Sequence, residues 1–461
     1  MTALAPDTLS WAGPVDLPLT GELDVQAACG LMHVHGRRHG RPTRLGLDYA
    51  TVSGVELAEI GAVAVEVARA RGLALRHATT SVAQAALLAV AQYLAAATAE
   101  PWSEPHLPGG PPFTSADGVA FELEALDPEV WQRFWSTLGV APTAVARGWR
   151  SFQPRFATAT CPLPAELVAA TASTRIGVLE DVARATGTTL VRVADRPVDD
   201  LPPFRATPLG PAGPLPPAGE LPLSGLVVLE SCRRVQGPLA GHLLARLGAT
   251  VVRVEPPGGD PLRGVPPMAG DCSARFRALN RGKQVLEIDL GTVAGRREVL
   301  ELASTADVFL HNWAPGRAAV WSLEAADFAR VRPGIVYAHA SGWGDALGPR
   351  PPLGTDFVVQ AHAGVPSSLM TVVDVFGGLV AAHGVVTALL RRARTGRGQS
   401  VESSLLSAAS RLNARTRGRC AAPRTVPVCT DLAALARDPR FARALERAEC
   451  VFPASPWEFV R

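Results

Sequence analysis

Between residues 226 and 341 the chain alternates short apolar runs with stretches of helical period. "LVVLE" (226–230) has the length and branching of a buried strand. In "GPLAGHLLARLGA" (237–249), Leu239, Leu243, Leu244 and Leu247 share one helical face, Pro238 suits a first turn and Gly248 a helix end. "TVVRVE" (250–255) then reads as a second strand, so the unit is βαβ and its strands must run parallel. The rhythm continues through the strand "GKQVLEIDL", the helix "GRREVLELASTA" and the strands "DVFLHN" and "GIVYAHAS". Residues 225–345 therefore predict an open, doubly wound parallel α/β sheet of Rossmann-like type.

Upstream the pattern changes. Residues 196–224 are so rich in Pro, Gly and Ala that no helical or strand period survives, and they read as an extended linker between regions 1–195 and 225–461. "SVAQAALLAVAQYLAAATA" (81–99) is uncharged and nearly long enough to span a bilayer, at about 20 residues. Its apolarity rests on Ala and is broken by Gln84 and Gln92, which favours a closely packed core helix. The N-terminal region also echoes the C-terminal one. "GELDVQAACG" (21–30) resembles "GTDFVVQAHAG" (354–364), with Glu22 in the place of Asp356. With Gly61 set against Gly384, Gly54 falls on Gly377, Arg71 on Arg394, Thr80 on Ser403 and Ser81 on Ser404 without a gap. An internal duplication accounts for both matches.

Composition narrows the chemistry. The chain has 461 residues, 47% of them apolar and 19% charged, enough to bury ordinary cores in two to four domains. Its 45 basic and 42 acidic residues leave a formal charge of +3, too balanced to argue for nucleic acid or an anionic membrane. The seven cysteines never approach CxxC spacing, so neither zinc nor a disulfide framework is expected, and no basic and apolar leader opens the chain. A cytoplasmic setting is expected. Glu255, at the end of a strand, could mimic a ribose-binding acid, but "ESCRRVQGPLAG" lacks the glycine spacing of a dinucleotide fingerprint, which argues against NAD.

Taken together, "GPLAGHLLARLGATVVRVEPPGGDPLR", "LNRGK", "HNWAPGR", "RPGIVYAHASGWG", "GTDFVVQAHAG" and "RRARTGRGQSVESSLLSA" resemble the class III CoA-transferases, the CaiB/BaiF family. The resemblance implies the family's fold for 225–461, a second related α/β or α+β region before it, and a fusion of a truncated first copy with a shortened second one. It makes Asp356 the catalytic nucleophile and leaves the Glu22 copy inactive. It places coenzyme A as substrate, with no tightly bound cofactor or metal, against Arg233, Arg234, Arg263, Lys283, Asn312 and Gly342. Val320 stands where some members carry a basic residue. The family's glycine-rich lid has no counterpart after Ser410, and "LPGGPPF", with Gly109 and Gly110, offers one from the first region. The implied partners are an acyl-CoA and a carboxylic acid acceptor, with a homodimer or an intramolecular pseudo-dimer as the assembly. Two alternatives stay open: a 2-methylacyl-CoA racemase, for which Asp374 matches one acid but Thr355 stands where a His is needed, and a non-catalytic acyl-CoA-binding scaffold.

Overall fold

The computed structural model describes residues 8–99, 107–416 and 426–461. In the N-terminal region, α1 (Glu22–Ala28), α2 (Leu31–Gly36) and the long α3 (Tyr49–Ala70) precede β1 (His77–Ser81), and β2 (Ala120–Glu124) pairs antiparallel with β3 (Thr189–Arg192). The Ala-rich segment after β1 forms two short helices, Val82–Ala89 and Ala91–Thr98, almost wholly buried, as its composition predicts.

The C-terminal region is built on one sheet. Its elements are β4 (Phe204–Pro211), β5 (Val227–Ser231), α4 (Gln236–Arg246), β6 (Thr250–Glu255), β7 (Gln284–Glu287), α5 (Val293–Ala303), β8 (Val308–His311), β9 (Val336–Ser341), α6 (Asp356–Ala363), α7 (Val372–Thr395), β10 (Arg397–Ser404) and α8 (Leu405–Arg415). The seven strands lie in the order β7-β6-β5-β8-β9-β10-β4. All are parallel except β4, which runs antiparallel to β10. The order reverses direction between β5 and β8, where Ser231 pairs with His311. The expected βαβ unit is β5-α4-β6, with Pro238 in the first turn of α4 and Gly248 at φ +104 just beyond its end.

The Pro-rich stretch at 196–224 is more ordered than an extended linker. Its residues 204–211 are β4, and the edge position is what tolerates Pro208 and Pro211, which have no N–H to give a ladder. Beyond it, the Arg71 guanidinium at the end of α3 donates to the carbonyls of Pro216 (2.8 Å), Pro222 (2.6 Å) and Ser224 (2.6 Å).

The two regions share one apolar core, in which α3 lies against α7. At that seam, Glu56 and Glu59 on α3 meet His383 on α7 and Arg411 and Arg415 on α8. The distances are 2.7 Å from Glu56 to His383, 2.6 Å from Glu56 to Arg411 and 2.7 Å from Glu59 to Arg415. Burial pushes the Glu56 carboxyl up, but its bonds to His383 and Arg411 outweigh that and hold it down at about 2. The chain also returns: β11 (Glu458–Val460) pairs antiparallel with β1. Helix α7 is long and apolar enough to cross a membrane, yet 89% of its most apolar window is buried inside the fold.

Candidate active site

Asp356 stands at the first position of α6, with Thr355 as its N-cap. The chain reaches this point by folding back on the end of β9. A Cβ on Gly342 would lie 2.4 Å from the Gly354 carbonyl, so only glycine allows that approach. Gly342 therefore packs against the loop that leads into Asp356.

The Asp356 side chain is 2% exposed. One of its oxygens accepts the Asp374 N–H from the first turn of α7 at 2.6 Å, and the other accepts the Gln360 amide one turn along α6. Gln360 is itself fixed: its carbonyl accepts Ser368 N–H at 2.8 Å and its amide donates to Ser368 O at 3.0 Å. The N-terminus of α7 and the Gln360 amide thus converge on one carboxylate, which favours the anion. Burial opposes them and wins, pushing Asp356 up to about 6. The Asp374 carboxyl is held well above the usual range, first by burial and then by the Asp356 charge. Both carboxyls are thus held above their ordinary range, and each ionises at the expense of the other.

The opposite wall comes from the N-terminal region. Glu124, Ala125 and Leu126 at the end of β2, with Gln153, Arg155 and Phe156, close a cavity of about 40 Å³ over Thr355, Asp356, Phe357 and Asp374. Glu124 accepts the Thr355 hydroxyl and pairs with Arg155 at 3.1 Å. The Arg155 guanidinium lies 3.5 Å from the Phe152 ring centre and 4.6 Å from that of Phe357. It donates to Phe152 O (2.8 Å) and Leu123 O (3.3 Å), while its buried Nε has no partner among the described residues. Beside it, burial pushes the Glu122 carboxyl up to about 8. Glu124 and Arg155 escaped the sequence reading. Glu124 lies on the strand "AFELE", which carries two acids among large apolar residues and is buried nearly throughout; Arg155 lies outside it.

A larger cleft of about 610 Å³ opens at the carboxyl ends of β5, β6 and β8, the point where the strand order reverses and where open α/β sheets place ligands. Arg233, Arg234, Asn312, Trp313, Arg317 and Trp321 line it. Arg234 and Leu126 also line the Asp356 cavity, so the two spaces meet at these side chains. Arg234 holds a left-handed φ of +65° and lies over the Phe156 ring. Asn312 spends a donor and an acceptor on the Arg233 backbone, at 2.8 and 2.9 Å, and so clips two strand ends together.

Two predicted coenzyme contacts fall elsewhere. Lys283 is fully buried and donates to Glu230 (2.7 Å), Pro238 O (2.8 Å) and Asn280 (2.9 Å), which uses all three of its N–H groups. It belongs to a buried charge network with Glu230, Arg253, Glu255 and Asp260. Arg263 is about a third exposed, outside the cleft lining, and forks onto both oxygens of Glu255 at 2.7 and 2.9 Å. Gly109 and Gly110 pack beside Cys161 and Leu369 and do not line the Asp356 cavity. Val320 is exposed. A further cavity of about 430 Å³ lies at the ends of β9 and β10 beside Trp343 and Glu402, and Ser341 and Trp343, on either side of Gly342, are in its wall. Two of its serine hydroxyls, Ser341 and Ser407, are spent on backbone carbonyls.

The family model of CoA-transferase family III matches residues 223–430, the stretch that holds the switch-point cleft and Asp356. That part of the chain is similar to CoA-transferase family III. Among family relatives, the acetyl-CoA:oxalate CoA-transferase of Acetobacter aceti is 33% identical over 196 residues, covering 39% of this chain and 50% of that enzyme. The succinyl-CoA:glutarate CoA-transferase of Mus musculus is 33% identical over 198 residues, 40% of this chain and 45% of its own length. The crystal structure of Rv3272 from Mycobacterium tuberculosis shares 34% identity over 44% of this chain and 58% of that one, with a TM-score of 0.39. The chain spans about half the length of the curated relatives it matches.

Proposed function

We propose that the protein moves coenzyme A between an acyl-CoA and a carboxylic acid, with Asp356 as nucleophile. The observation that carries this reading is a buried carboxylate, gripped by the N-terminus of α7 and by the Gln360 amide, in a cavity that meets the switch-point cleft at Arg234 and Leu126. The Asp356 oxygen attacks the thioester carbonyl, the C–S bond breaks, and the CoA thiolate leaves with the electron pair. The thiolate then attacks the Asp356 carbonyl of the resulting mixed anhydride, releasing the donor carboxylate and leaving an aspartyl-CoA thioester. An acceptor carboxylate reverses these steps. A cavity this small keeps bulk water from the anhydride, and Arg234 faces the charges that leave. Arg233 and Arg234 supply cationic donors to the coenzyme in the cleft.

The same reading takes 1–195 as the remains of a second, inactive copy. Its support is geometric. Gln26 holds Glu22 (2.8 Å), Leu45 N (2.9 Å) and Leu47 O (2.9 Å) as Gln360 holds Asp356 and Ser368, and the Ser81 and Ser404 hydroxyls both cap the helix that follows their strand. Incubation of the full chain with acyl-CoA and hydroxylamine tests the reading. Modification of Asp356 is expected, and turnover retained by Asp356→Ala would refute it.

The racemase reading gains one observation. Although position 355 has no His, the hydroxyl of Thr355 brings Glu124, a second titratable group, to that wall of the cavity across from Asp374. Solvent deuterium incorporation at C2 of a 2-methylacyl-CoA, lost in both Glu124→Gln and Asp374→Asn, would favour it over transfer.

A further inference from the structure

The Asp356 cavity has a size and a lining that select among acyl groups, an inference that rests on the transferase reading. At about 40 Å³ it holds roughly three water-sized positions. Glu124, Gln153, Arg155, Arg234, Thr355, Asp356 and Asp374 form most of its wall, and of the apolar residues Leu126 and Phe156 stand on the N-terminal side. Such a space rejects a long alkyl chain, which would have to displace polar groups that nothing else satisfies.

Within that wall Arg155 is singular. Its side chain is 3% exposed, its two terminal nitrogens are spent on Glu124 and two backbone carbonyls, and its Nε–H has no acceptor among the described residues. A buried donor without a partner costs about 1–3 kcal/mol, a cost that an incoming oxygen removes. Arg155 belongs to the N-terminal region, so that region contributes a group that the Asp356 half lacks. We propose that Arg155 Nε–H is the binding donor for the carboxylate or acyl oxygen at Asp356, and that the cavity restricts the enzyme to short polar acyl groups.

The test uses the full chain, acyl-CoA esters from two to twelve carbons with and without a terminal carboxylate, and acetate, oxalate and succinate as acceptors. Hydroxylamine capture at Asp356 is read first. Capture with no ester overturns the transferase reading and this proposal with it. Capture with medium or long chains as fast as with short ones overturns the cavity proposal alone. If the proposal holds, Arg155→Lys raises the acceptor KM at least tenfold and leaves inhibition by free CoA unchanged; an equal change in both, or in neither, overturns the role of Arg155. Should Arg155→Lys fail to fold, the exposed Leu126 gives a second reading. Leu126→Ala is expected to raise the rate with six-carbon esters relative to two-carbon esters at least tenfold, and an unchanged chain-length profile overturns the selection.

Discussion

Glu22 and Asp356 begin two short helices on the same plan, and the difference between them shows what makes a carboxylate available. Each is gripped by a glutamine one turn on and by backbone N–H groups at the start of the next long helix, Ala50 and Thr51 in one case and Asp374 in the other. Around Glu22 the grip is complete. Gln26, Ala50 N, Thr51 N and the Thr51 hydroxyl fill its oxygens. At the position aligned with Thr51 stands Asp374, whose N–H still bonds Asp356 but whose carboxyl lines the cavity instead of bonding the aspartate. A hydroxyl at that position bonds Glu22, whereas a carboxyl there borders open space beside Asp356.

The largest effect that sharpens this comparison is loss of acyl transfer in Asp356→Ala, expected to be complete while the fold persists, against activity within about twofold in Glu22→Gln. Steady-state exchange of labelled CoA checks both. Next comes the seam that holds the two sites together. Glu56→Gln is expected to lower unfolding free energy by about 3–5 kcal/mol near neutral pH, because it uncouples a buried ion network, and chemical denaturation measures it. Glu56 is held below its ordinary value, so its stabilisation is present above about 4.5 and fades as pH falls from there toward 2.

Asp356 carries the opposite sign. Its value is raised from 3.8 to about 6, so the folded state prefers the neutral acid and loses stability as pH rises through that window. Asp356→Asn should therefore raise the melting temperature at pH 8, by an amount matching about 1–3 kcal/mol, and give no gain at pH 4. The wild-type rate should fall below about pH 6 as the nucleophile protonates, a limb visible in kcat/KM. The smallest expected effect is that of Lys283→Met. It should cost stability and shift the KM for acyl-CoA less than about twofold, which titration with dephospho-CoA and CoA esters would check.

The sheet and its site were legible in the sequence to different depths. Strands such as 227–231 and 308–311 showed because burial on both faces leaves continuous apolar runs, and Asp356 showed because "GTDFVVQAHAG" resembles a family motif. Strand β4 did not, since Pro208 and Pro211 mask a pairing that only an edge permits. Arg263 and Lys283 matched a motif, but a motif does not reveal that Glu255 and Glu230 already hold them. Glu124 and Arg155 were invisible for another reason. They reach Asp356 across more than two hundred residues of chain, and nothing local to either marks that meeting.

The return of β11 to β1 makes the meeting independent of dilution. A site completed by a separate subunit empties as the protein falls below its dissociation constant. Here Glu124, Arg155 and Asp356 belong to one polypeptide whose last strand is laced into the first region, so the effective concentration of the closing wall is set by the fold itself. Specific activity should stay level from micromolar to picomolar protein.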